Sequence, residues 1–374
     1  MLAHQPHSGF ILIHKDSGPS SFTYVNQIKK LLGTKKVGHA GTLDPMAEGL
    51  LLLGFGKACA LLKYFLTSDK TYAYEAALGV ESDTLDATGE VKESLPAEDL
   101  RKRWSQGDFA FSQAEHRADH FPEGSILQVP PLYSALKYQG RPLYAYARQG
   151  TLPPDFSLEQ KVRQVEVQVD QLTDATWPAD ASYPYYGATI TVSSGFYVRS
   201  YIAEIGDRLG CGALMTRLVR TKAYGFSLEE SMFLAEIQAA LDPAHGGMTA
   251  LAALPAYFDP LSALARKMPI FYVTWDDLQQ IFHGRQDFLF TSSFLSRLAA
   301  SCPGSDTADH LGLGYRDSIE GEEGAPGILV GTLKRDRKAW RLDRNLIDLR
   351  DFPSLRPGKS VSFGDSGQLP GESR

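Results

Sequence analysis

Hydrophobic positions along the chain fall into short, well-separated runs whose period changes from one run to the next. Phe10 to His14 and Leu50 to Leu53 are apolar runs of strand length, and both read as buried strands. Lys70 to Leu78 alternates, with Tyr72, Tyr74 and Ala76 on one face and Thr71, Ala73 and Glu75 on the other. Val165 to Val169 alternates with polar residues in the same way, and Ala188 to Val192 is a further strand. Tyr24, Val25, Ile28, Leu31 and Leu32 recur at helical spacing behind a Ser20-Ser21 N-cap, with Gly33 as the stop. Lys57 to Leu66 reads as a helix, as does Val198 to Leu209 with a stop near Gly210.

Past Phe226 the texture changes. Leu228 to Leu241 reads as helical, and the Gly-Gly and Pro positions between 243 and 260 as a connector. A helix at Trp275–His283 and strands near Ile328–Leu333 and Ala339–Leu342 form a compact last segment. Residues 300–326 are rich in Gly, Ser and Asp and read as a loop insertion. Residues 96–125 read as an acidic, irregularly helical surface insertion, residues 1–9 as a flexible N-terminus, and 356–374 as a flexible tail.

Composition narrows the class. The chain has 374 residues, 43% of them apolar and 22% charged, which fits a globular protein of one large domain and one smaller one. No apolar run reaches the roughly 18 residues of a membrane span, and the N-terminus lacks a signal-peptide layout. Cys59, Cys211 and Cys302 match no disulfide or zinc spacing, so a reducing cytoplasm is the simplest setting. The net charge of −6 hides a pattern. Residues 81–125 hold eleven acidic and five basic residues, whereas residues 1–80 hold eight lysines against five carboxylates. The stretch 195–227 holds five basic residues against two acidic. A phosphate backbone answers to such a local face and not to the total.

The densest candidate chemistry is Gly38-His39-Ala40-Gly41-Thr42-Leu43-Asp44-Pro45-Met46-Ala47-Glu48-Gly49. Its glycines let the backbone turn and approach a ligand, and Pro45 keeps Asp44 out of a helix. Asp44 is thus presented from a loop between apolar elements, where catalytic groups are often placed. The plain alternative is an Asx turn, with Asp44 bonding its own backbone.

Gly38 to Leu50 resembles the signature of the TruB family of pseudouridine synthases, G-H-x-G-T-L-D-P-x-A-x-G-L. Other blocks follow in that family's order: Lys15 with Ser17 to Phe22, Lys70-Thr71-Tyr72 with Leu78-Gly79 and Thr84-Leu85-Asp86, Pro130 to Lys137 with Gly140 and Tyr144 to Gly150, and Gly195 to Ser200. Together they span residues 10–227. One departure is Lys15-Asp16, where the family usually has Lys-Pro.

The resemblance implies an α+β pseudouridine synthase fold: a long mixed, largely antiparallel sheet flanked by helices over residues 10–260. A small β-rich PUA-like RNA-binding domain over 266–352 would follow. It implies isomerisation of uridine 55 in the T-loop of tRNA, with no cofactor, metal or guide RNA, by a monomer. Asp44 would be the catalytic carboxylate, Arg199 would pair with it and hold its rotamer, and Tyr72 would stack on the uracil and take the C5 proton. His39 would fill the space left by the flipped base. Gly41, Thr42, Leu43, Lys15, Lys70, Tyr197 and Lys137 are the remaining candidates for substrate contact, and Arg217 and Arg220 are phosphate or structural candidates. The rivals are a guide-RNA-dependent synthase, a non-catalytic tRNA-folding chaperone, and a glycoside hydrolase using Asp44 and Glu48. His116 and His120, spaced i, i+4, lack a zincin glutamate between them and read as surface residues.

Overall fold

Continuous and alternating apolar runs both become strands here, because one large sheet buries nearly every residue of Gly9–Lys15 and Glu48–Phe55 but only alternate residues of Arg163–Leu172 and Tyr185–Val192. The computed structural model describes residues 7–153, 156–243, 247–283, 285–302, 305, 307–315, 328–336 and 339–346. The expected tail, residues 1–6 of the expected flexible N-terminus and residues 316–326 of the expected loop insertion lie outside the described residues. The chain divides into two units, Met1–Asp259 and Pro260–Arg374.

In the first unit β1 (Gly9–Lys15), β2 (Val37–His39), β3 (Glu48–Phe55) and β4 (Lys70–Leu78) come first. A ribbon of β5 (Val80–Ser82) and β6 (Val91–Glu93) follows, then β7 (Gly124–Gln128) and a second ribbon of β8 (Lys137–Tyr138) and β9 (Arg141–Pro142). The long strands β10 (Arg163–Leu172), β11 (Tyr185–Val192) and β12 (Ala213–Ala223) lead to the short β13 (Phe226–Ser227), β14 (Met232–Phe233) and β15 (Tyr257–Phe258). Eleven of these form one sheet in the order β14-β1-β3-β12-β4-β11-β10-β7, with β13, β15 and β2 attached to β12, β1 and β3. All its pairs are antiparallel except β1 with β14 and β3 with β12. This is the mixed, largely antiparallel sheet that the family resemblance implied.

The Val198–Leu209 helix lies where periodicity put it, stopped by Gly210 in the left-handed region. It packs Val198, Tyr201, Ile202, Ile205 and Leu209 into the core shared with Tyr74, Ile190 and Met215 of the sheet. That packing fixes the start of the helix, and with it Arg199, over the middle of the sheet. The Ser21–Leu31 helix is capped by the Ser20 hydroxyl, which accepts the Thr23 N–H.

Several expectations are corrected. Lys57–Leu66 is not one helix: a 3-10 turn over Gly56–Leu61 precedes a single turn at Lys63–Leu66. Leu228–Leu241 is broken by β14, because Met232 pairs with Ile13 on the edge of the sheet, and only Leu234–Ala240 is α-helical. The acidic 96–125 segment is more than a surface insertion. Its helices, Ala97–Gln106 and Ala114–His120, carry charge outward, while Leu100, Phe109, Phe111 and Phe121 are buried in the main core. His116 and His120 are half-buried, with their Nδ1 atoms shielded from solvent.

The second unit has its own four-stranded sheet, β16 (Ile270–Val273), β17 (His310–Tyr315), β18 (Ile328–Asp336) and β19 (Ala339–Asn345), in that order. Helices Trp275–Phe282 and Ser292–Ser301 supply its core together with Leu311, Leu313 and Val330. Strand β17 overturns the loop reading of 300–326 over His310–Tyr315. Its glycines are there for space: a Cβ on Gly314 would fall 2.8 Å from the Tyr272 ring of the neighbouring strand. No helix among the described residues is long and apolar enough to cross a membrane.

Candidate active site

Pairing of β2 with β3 leaves residues 40–47 as a loop whose course is fixed from several directions. Gly41 has φ +81°, and a Cβ there would lie 2.6 Å from the Tyr224 hydroxyl. That hydroxyl donates to the Ala40 carbonyl. Ser21 Oγ accepts the Leu43 N–H at 3.0 Å and lies 3.2 Å from the Leu43 carbonyl. The Lys15 ammonium donates to the carbonyls of Asp16 (3.0 Å), Pro45 (2.9 Å) and Ala47 (2.6 Å). Lys15 is fully buried, and burial pulls it down to about 8, with the Asp44 and Asp16 carboxylates acting against the fall. The turn at Asp44 is made by backbone, Ala47 N–H to Asp44 carbonyl at 3.0 Å. The carboxylate is therefore left to face another partner.

That partner is Arg199. Its Nε donates to Asp44 Oδ2 at 2.9 Å, with the arginine side chain 4% exposed and the aspartate 38%. A buried cation holding a half-exposed anion fixes the carboxylate's direction while leaving it open to a ligand. The guanidinium is itself caged. Nη1 donates to the Thr84 carbonyl at 2.8 Å, Nη2 to the Tyr133 carbonyl at 2.9 Å, and the buried Asp86 carboxylate stands 3.7 Å from Nε. Asp86 in turn accepts from the hydroxyls of Thr84 (2.8 Å) and Thr88 (2.5 Å) and from the Thr88 N–H (2.9 Å). Leu85, between the two residues that hold Arg199, has φ +62°, a conformation that costs a leucine free energy and that clusters at working sites.

Asp44 and Arg199 stand at the wall of a cleft of about 260 Å³. Gly41, Thr42, Leu43, Lys70, Tyr72 and Tyr197 line it too. Tyr72 is inward-facing on β4, and its register partner on β12 is Arg220. Arg220 is fully buried; Nε donates to the Leu50 carbonyl at 2.7 Å and one Nη to Gly41 at 3.4 Å. Burial disfavours its charge, yet the Tyr224 and Tyr72 hydroxyls beside it leave it raised. Burial pushes Tyr224 up to about 12, against the pull of Arg220. Tyr197 is clamped through its backbone by Gln128, whose amide accepts its N–H at 2.7 Å and donates to its carbonyl at 3.0 Å. Burial also raises the Tyr197 phenol.

The other candidates are placed less centrally. His39 is on β2 with a buried, unpaired Nδ1, and burial lowers its pKa while a backbone hydrogen bond at Gly41 acts the other way. Lys70 sits at the cleft with its ammonium 2.7 Å from the Ser68 carbonyl and over the Tyr224 ring. Lys137 is exposed on the β8 ribbon and does not line the cleft. Arg217 is exposed and 3.5 Å from Glu48. Among the described residues no group of three or more His, Cys, Asp or Glu side chains could hold a metal ion.

Asp86, Tyr133, Gln128 and Tyr224 carried no assigned role in the sequence. Asp86 left a trace: Thr84-Leu85-Asp86-Ala87-Thr88 reads as a side-chain-capped turn. Arg220 left a stronger one, as a cation in phase with the buried Leu218.

Comparison with known proteins gives this arrangement a family. The family described as TruB family pseudouridylate synthase (N terminal domain) matches residues 29–198. A tRNA pseudouridine synthase B from Moorella thermoacetica is 37% identical over 279 residues, covering 74% of this chain and 82% of that protein. The protein of the same name from Cupriavidus metallidurans is 38% identical over 261 residues, covering 70% and 74%. In solved structures, similarity extends to a Cbf5–Nop10–Gar1 complex with a TM-score of 0.53 at 20% identity, covering 90% of this chain and 84% of that one. An H/ACA RNP bound to a substrate RNA containing 2′-deoxyuridine gives 0.54 at 18% identity, covering 93% and 88%. The fold and the matches define a pseudouridine synthase. This chain belongs to the TruB family.

Proposed function

We propose that the protein isomerises uridine 55 in the T-loop of tRNA to pseudouridine, unassisted by guide RNA. The observation that carries this reading is the half-exposed Asp44 carboxylate, held by buried Arg199 at the wall of a cleft that also presents Tyr72. The bond from uracil N1 to ribose C1′ breaks, the detached base turns within the cleft, and a C1′–C5 bond forms. The C5 proton leaves to a base and the freed N1 takes up a proton, so the product is an isomer of the substrate and atoms and electrons balance with no added reagent. Asp44 is the carboxylate that starts the reaction. Tyr72 packs on the uracil, and its hydroxyl oxygen takes up the C5 proton while passing its own proton on to water. A uridine in a folded loop is reached by flipping it out of its stack, and His39, kept neutral by burial, fills the vacancy. The lysine-rich N-terminal stretch and the second unit, read as PUA-like, bind the RNA backbone by charge and shape. The enzyme works as a cytoplasmic monomer.

T-arm RNA carrying tritium at C5 of uridine tests this directly. Tritium release by the native protein alone, with pseudouridine at the single T-loop position, is the expected result. No release without added guide RNA, or accelerated tRNA refolding without release, overturns it.

A further inference from the structure

Arg199 is gripped by two segments far apart in sequence, and one residue ties those segments to each other. The Thr84 carbonyl takes Nη1 and the Tyr133 carbonyl takes Nη2. The Tyr133 side chain then reaches across to the first segment, its hydroxyl donating to Asp83 Oδ2 at 3.1 Å. Asp83 is fixed in turn, since its Oδ1 accepts the Glu90 N–H at 3.0 Å. The result is a closed ring running from Arg199 through Tyr133 and Asp83 to Thr84 and back. That contact perturbs both groups. The hydrogen bond to Asp83 raises the Tyr133 phenol, while the Glu90 N–H, and after it the Tyr133 hydroxyl, hold the Asp83 carboxyl down.

We infer that Tyr133 is a positioning residue for the reaction: its hydroxyl, by holding Asp83, sets the two carbonyls that aim Arg199 at Asp44. The inference rests on the reading of Asp44 and Arg199 given above. Ser134 and Ala135 line the cleft and Tyr133 does not, so it acts through Arg199 and not on the substrate. Asp83 is exposed, and a single exposed hydrogen bond adds little to global stability. The same bond matters more to alignment, because a small misplacement of a catalytic group costs rate steeply. The left-handed Leu85, next to Thr84 in this ring, shows that the segment is held in a conformation it would not adopt unaided.

The full-length protein with Tyr133→Phe, Asp83→Asn and both together tests the idea. In single turnovers on the tritiated T-arm, each single variant should be slower by about three- to tenfold, the size of one ordinary, solvent-exposed hydrogen bond. The double variant should be no slower than the worse single, with the RNA Kd and thermal midpoint unchanged. A second readout is independent of turnover: the Arg199 Nε–H resonance of arginine-labelled protein should move in both singles toward its position in Asp44→Asn. Wild-type rates in Tyr133→Phe, losses that multiply in the double variant, or a change in Kd alone would each overturn the inference. Should the native protein release no tritium, the proposed function fails by itself, and an unmoved Arg199 resonance still decides against Tyr133.

Discussion

Two arginines stand at the same cleft, both buried, and their surroundings are opposite. Arg199 sits among anions, 2.9 Å from Asp44 and 3.7 Å from Asp86, with two carbonyls completing its shell. Arg220 has no carboxylate within ion-pair distance among the described residues, and its charge rests on the Leu50 and Gly41 carbonyls and two tyrosine hydroxyls. The difference teaches that burial of a cation does not say what the cation does. One is part of a charged couple whose outer member faces the cleft. The other braces β3 and the Asp44 loop from behind, as Lys15 does from the other side.

Removing the outer anion separates chemistry from architecture most sharply. Asp44→Asn should lower turnover by roughly a thousandfold or more, as loss of an essential catalytic group does. Its unfolding free energy should change by less than about 1 kcal/mol, since Asp44 is the exposed member and Arg199 keeps Asp86. Tritium release and urea unfolding on the same preparation check both halves.

The arginines themselves come next. Arg199→Met strands Asp86 without its cation and should cost about 3 kcal/mol of stability as well as activity. Arg220→Met strands carbonyls instead and should cost about 2 kcal/mol. Paired denaturation curves read the difference, and equal losses would dissolve the contrast between anion-held and dipole-held cations.

Lys15 offers the most specific test. Its folded pKa of about 8 lies below the ordinary 10.5, so between those values the unfolded chain binds the proton more tightly. Raising the pH through that window relieves the cost of burying its charge, and its contribution to stability rises. Relative to Lys15→Met, the native protein should therefore gain stability from pH 8 to 10.5 and show a flat difference below pH 8. A difference that falls with pH would mean that the ammonium is stabilised where it lies.

Much of this was legible in the residues. Strands β1, β3, β4 and β11 and the helix bearing Arg199 follow from apolar period and stop signals, because a strand or helix that buries one face must repeat at 2 or 3.6. The Asp44 loop was legible because its glycines and proline dictate local backbone, and the motif resemblance drew Tyr72 and Arg199 to the same cleft. Whether Asp44 would turn on its own backbone or face a cation could not be read locally, since Arg199 is 155 positions away. The same holds for β12, whose place between β3 and β4 puts Arg220 beside Tyr72, and for the Tyr133–Asp83 ring. The acidic segment misled because charge marks its outer face, while four apolar residues decide its burial. Periodicity and turn chemistry are properties of neighbours in the chain. The company a charge keeps is a property of neighbours in space, and folding alone assembles it.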